Sequence, residues 1–165
     1  MAENDMAVQQ DAAYGTRTAV TASGSALRTW ATAGYRWLLL VFLLAGAVQI
    51  FLAGLGVFRL QDNGLEAAAG DSAFAPHRTL GFAIAGIALL ILMSALAARV
   101  GARAITLSAV LVLLTSFVQS LLAGLGEDTA VYGGLHALDG LLIIGIAGYL
   151  YGSALASRRG AGKRR

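Results

Sequence analysis

The chain has no cysteine, two histidines and only 13% charged residues in 165 positions. The missing cysteines exclude disulfides, thiolate metal and iron–sulfur sites, covalent c-type haem attachment and a cysteine nucleophile. The scarcity of charge excludes an ordinary soluble domain. Instead 58% of the residues are hydrophobic and the mean hydropathy is +0.72, a composition suited to a lipid solvent. Hydrolytic chemistry has no support either. The serines and threonines of the apolar runs lack a nucleophile-elbow context, and Gly54-Leu-Gly56 is not followed by the Lys-Ser/Thr of a phosphate loop.

What is present is four apolar runs, at 37–58, 79–98, 104–125 and 135–154. Runs of about 20 residues at about 1.5 Å each match a hydrocarbon core of about 30 Å, and helices satisfy their own backbone there. The expected fold is therefore all-α, a transmembrane four-helix bundle occupying 34–156, with the loop from Gln61 to Pro76 on the outer side. Residues 1–33, polar and rich in Ala, Thr and Ser, are expected to be a disordered tail, and they suit neither a signal nor a transit peptide. Residues 157–165 form a basic tail.

Ten of the twelve basic residues (Arg17, Arg28, Arg36, Arg99, Arg103, Arg158, Arg159, Lys163, Arg164 and Arg165) fall on one side of the four runs. By the positive-inside rule that side is cytoplasmic, so both termini of a multi-pass cell-membrane protein are expected there. The tail then contacts anionic lipid rather than nucleic acid.

The chain also repeats itself. Val48-Gln-Ile-Phe-Leu-Ala-Gly-Leu-Gly56 matches Val118-Gln-Ser-Leu-Leu-Ala-Gly-Leu-Gly126 at seven of nine positions. His77, Gly81, Ile84, Gly86, Ile87 and Ala88 likewise match His136, Gly140, Ile143, Gly145, Ile146 and Ala147. Each unit holds two spans, so the bundle is expected to consist of two repeated helix pairs, a parallel repeat with a pseudo-two-fold axis along the membrane normal. Both histidines then lie at one depth, at the outer ends of spans two and four. Gln49 and Gln119 form a second pair nearer the bilayer middle.

Gly81 and Gly140 follow their histidines by four residues and share their helix faces. Gln49, Ala53 and Gly56 share a face, as do Gln119, Ala123 and Gly126. Two imidazoles walled by small residues at equal depth suit one b-type haem, ligated axially by His77 and His136 with Gly56, Gly81, Gly126 and Gly140 along its plane. Zinc would want three or four close ligands. Arg59 and Arg78, the outer cations, are placed to meet propionates or to snorkel at the interface. Asp139, the one acid inside a run, is placed to pair with Arg78 or to orient an imidazole, and the glutamines to bond each other or the inner edge of a ligand. The residues equally suit a cofactor-free accessory bundle that packs through its small-residue faces and partners another membrane complex. A third reading is a small transport or quinone-binding protein built on Gln49, Gln119 and Asp139. The haem reading implies electron transfer or haem handling, and a membrane or redox partner protein.

The residues Val48-Gln-x-x-Leu-Ala-Gly-Leu-Gly56 with Pro76-His-Arg-Thr-Leu-Gly81, and Gln119-x-x-Leu-Ala-Gly124 with Leu135-His-Ala-Leu-Asp-Gly140, resemble a family of small four-span membrane proteins of unknown function. The resemblance covers about residues 35 to 155. More distantly, the alternation of a Gln-bearing helix with a helix opening on His is similar to one four-helix half of haem A synthase. That likeness implies haem held by His77 and His136. The acidic residue that family carries three positions before its histidine is Phe74 and Gly133 here, so it implies haem binding rather than haem modification.

Overall fold

A computed structural model describes residues 2–62 and 67–162, with side chains for 26–62 and 70–157. Four helices follow in order: α1 Ala2–Asp62, α2 Ala67–Ala98, α3 Ala102–Asp128 and α4 Ala130–Gly162. No strand occurs among the described residues. Each helix carries a stretch long and apolar enough to cross a membrane, namely Ala26–Asp62, Gly70–Ala98, Ala102–Asp128 and Ala130–Ser157. The protein is thus a multi-pass membrane protein built as an all-helical four-helix bundle. The ends of α1 and α4 that carry the chain termini, together with the α2–α3 turn, mark one end of the bundle, here the terminal end. The opposite end is the loop end.

Two expected boundaries move. The tail expected to be disordered is helical from Ala2, continuous with the first span, since alanine-rich sequence favours helix wherever nothing breaks it. The loop expected from Gln61 to Pro76 is helical again from Ala67. Pro76 sits inside α2. A proline commonly opens a helix, but Ala67-Ala-Ala extends this one by further turns.

The turn between α2 and α3 is built by Arg99, Val100 and Gly101. Arg99 is left-handed at φ 54°, and Gly101 has φ 103°. The Arg99 N–H donates to Leu96 O at 3.2 Å and the Val100 N–H to Ala95 O at 3.3 Å. This is a Schellman C-cap with arginine where glycine is favoured.

Buried positions recur at intervals of three and four on every helix, the pattern of near-parallel packing. They are Tyr35, Leu39 and Phe42 on α1; Ile84, Ala88, Ile91, Ala95 and Ala98 on α2; Ser108, Leu111 and Thr115 on α3; and Ile143, Ala147 and Leu150 on α4. All of these lie toward the terminal end, whereas Gly56 of α1 and Ala73 of α2 are buried nearer the loop end. Among the described residues α3 has no buried side chain after Thr115 and α4 none before Asp139, so the four helices close on one another only in that half.

Within α3 the residues Leu114–Val118 form one π-helical turn. The buried Thr115 hydroxyl donates to Leu111 O at 2.7 Å, a side-chain bond to the preceding turn that competes with the backbone pattern. Turns of this kind gather at functional sites, and this one immediately precedes Gln119.

Candidate functional site

Where the closed half ends, a layer of polar side chains crosses the bundle: Gln49 of α1, His77 of α2, Gln119 of α3, and His136 and Asp139 of α4. The two imidazoles come together, with ring centroids 6.2 Å apart and planes inclined by 59°. Each is tied to the other helix of its own hairpin. His77 Nδ1 lies 3.1 Å from Gln49 O, and the Gln49 amide donates to His77 O at 2.9 Å. His136 Nδ1 lies 3.1 Å from Gln119 O, and the Gln119 amide donates to His136 O at 2.9 Å. The expectation that the glutamines bond each other is thereby corrected.

A backbone carbonyl only accepts, so each Nδ1 carries a proton and donates; a ring in its neutral form then has its lone pair on Nε2. His77 Nε2 has the Gln49 amide nitrogen at 3.3 Å. The Phe74 ring stands edge-on to His77, with centroids 6.4 Å apart and planes at 86°.

The four glycines expected to clear a plane for a ligand are used differently. A side chain at Gly81 would meet the Gln49 amide at 3.3 Å, and one at Gly140 the Gln119 amide at 3.5 Å. At Gly56 it would strike the Phe74 ring at 2.7 Å, and at Gly126 the backbone of Gly133 at 3.0 Å. The missing side chains admit groups of the same hairpin, which is the small-residue packing common between membrane helices.

Of the roles open to Arg78, its contacts fit snorkelling toward the loop end. Its guanidinium donates to Asp71 O and pairs with the Asp71 carboxylate at 3.3 Å. Asp71 lies two turns nearer the loop end on the same helix. Arg59 is exposed at the loop end of α1. Asp139, 9% exposed, interacts with the Gln119 side chain and with His136. Gln49 Oε1 and Asp139 Oδ2 are buried with no partner in the protein. Among the described residues no group of three or more His, Cys, Asp or Glu could hold a metal ion, which disfavours a site made of protein ligands alone.

Sequence reasoning missed Phe74 and the π-helical turn. For the turn, the adjacent hydroxyls Thr115-Ser116 in an apolar run were the available signal. For Phe74 no signal existed, because its role depends on the partner helix.

Residues 49–130 match a family of unknown function, DUF6220. The match takes in Gln49, His77 and Gln119 and stops short of His136 and Asp139. No curated protein matches the chain, and no solved structure does, so the likeness to haem A synthase rests on the motif alone.

Proposed function

We propose that this membrane protein binds one b-type haem between His77 and His136, for electron transfer or haem handling. The observation that carries the reading is the shared contact: both imidazoles direct Nδ1 at a backbone carbonyl at 3.1 Å, the arrangement that leaves Nε2 for a metal in metal-ligating histidines. The two rings also stand near each other, with centroids 6.2 Å apart, so His77 and His136 are the residues that would hold such a group. A haem held there would supply a one-electron iron couple. Gln49 and Gln119 hold the rings through their backbone carbonyls, and Phe74 limits the swing of His77.

In the haem-bearing protein, His77→Ala or His136→Ala should convert a low-spin six-coordinate absorbance spectrum into a five-coordinate or haem-free one. Phe51→Ala, on the lipid-exposed side of α1, should leave it unchanged. No haem in wild-type protein from haem-replete cells, or an unaltered spectrum in both histidine variants, refutes the reading. In that event the second reading takes its place, a cofactor-free bundle that partners another membrane complex. It is favoured by the Gln49 amide lying against His77 Nε2 and by the filled glycine positions.

The orientation belongs to the same proposal: the terminal end is cytoplasmic. Its support is the clustering of basic residues there and the conformation of Arg99. A non-glycine residue in the left-handed region costs about 1–2 kcal/mol, so an arginine at this turn is better explained by its charge than by its fit. Arg99→Gly should raise stability by about 1 kcal/mol while weakening the orientation preference. Reporter fusions at the C-terminus should score as cytoplasmic, and an external score overturns the orientation.

A further inference from the structure

The two Gln–His hairpins are alike in their backbone contacts and differ in one residue beside the imidazole. Three positions after its histidine, α4 carries Asp139 where α2 carries Leu80. A glutamine amide nitrogen has two hydrogens to give and accepts nothing. In each hairpin the amide nitrogen donates one to the histidine's own carbonyl at 2.9 Å. Because that carbonyl only accepts, it also fixes which end of each amide is nitrogen.

The second hydrogens part company. That of Gln49 is left for His77 Nε2, 3.3 Å from the amide nitrogen. The Gln119 amide lies over Gly140 as the Gln49 amide lies over Gly81, but its side chain interacts with Asp139, and an amide N–H meets a carboxyl oxygen by donating. Among the described residues Gln119 makes no bond to His136 Nε2 to match that of Gln49 to His77. The lone pair that accepts a hydrogen bond is the one that a metal needs. Freeing His77 Nε2 therefore costs one hydrogen bond, and freeing His136 Nε2 costs none.

We infer that Asp139 is a positioning residue that holds the Gln119 amide off His136 Nε2, making His136 the primary ligand of the site and His77, capped by Gln49, the secondary one. The inference rests on the reading that the two imidazoles hold a haem. It adds an order between them and gives the intramembrane acid a role that Leu80 cannot fill.

The test is haem titration of the full-length protein in detergent, followed by absorbance. His136→Ala should weaken haem binding roughly fivefold more than His77→Ala, the factor that one net hydrogen bond supplies. Asp139→Leu, which gives α4 the residue of α2, should weaken binding by a similar factor. Adding Gln119→Met, which has no amide to turn on His136, should restore it, whereas a merely structural role for the acid predicts no rescue. In the haem-free protein the nitrogen-NMR signal of His77 Nε2 should lie at lower frequency than that of His136 Nε2, and Gln49→Met should remove the difference. Equal losses from the two histidine variants, or no rescue by Gln119→Met, overturns the ligand order while haem binding stands. Wild-type protein without haem from haem-replete cells overturns the haem reading and the order with it. Should Asp139→Leu fail to fold, the wild-type nitrogen signals decide, and coincident signals overturn the inference.

Discussion

Phe42→Ala is expected to destabilise the bundle by about 2 kcal/mol, measured by detergent or denaturant unfolding. Phe42 is 1% exposed and packs among Leu39, Ile91, Leu111 and Ala147 in one buried cluster. In a soluble core the same change costs about 3–5 kcal/mol, including loss of transfer from water as well as a cavity. In lipid the unfolded helices remain in an apolar solvent, so chiefly the cavity and its lost contacts remain. A cavity of roughly 100 Å³ at about 24 cal/mol per Å³ accounts for the smaller figure. Phe51, 66% exposed, is the control and should cost nearly nothing as Ala. Equal effects at the two positions would mean that the helices do not close as described.

Gly126→Ala should cost about 1–3 kcal/mol by overpacking. Its new methyl would lie 3.0 Å from Gly133 N and 3.1 Å from Gly133 Cα. Backbone atoms cannot rotate aside, so α3 and α4 must separate. Gly124→Ala, two residues away, meets nothing within 4 Å and should be neutral or stabilising by up to about 1 kcal/mol, because Ala is the better helix former. Matching losses from both substitutions would remove the contact between α3 and α4 as the cause. The separation should also be felt at His136, whose Nδ1–H bond to Gln119 O spans the same two helices.

Hydropathy alone located the four spans, because a lipid solvent demands long apolar helices and little else has that composition. It located their ends poorly. Pro76 suggests a boundary, and a loop running up to it hides the pairing of Arg78 with Asp71 two turns away on the same helix. The repeated order of Gln and His was plain in sequence, and both pairs make the same two hydrogen bonds within their hairpins. What Gly81 and Gly140 face is not legible in sequence, for a physical reason. Helical spacing states which face a residue occupies, but not what the neighbouring helix places against it, and here that neighbour is a glutamine amide. Asp139 was legible as an intramembrane acid, while its orphaned oxygen was not, since satisfaction depends on three other helices.

With the buried side chains of α3 and α4 confined to the terminal half and Asp139, the closed core there gives the two hairpins a pivot. From Ala88 in the closed core to His77 is eleven residues, a lever of about 16 Å. A tilt of about 4° between hairpins at the pivot moves the imidazole by about 1 Å over that length, comparable with the difference between a bonded and an unbonded ring. Residues far from the polar layer therefore set the gauge of the gap between the histidines. Enlarging Ala88, or trimming Leu111 or Leu150, adjusts that gap like the screw of a caliper, without touching any atom that faces it.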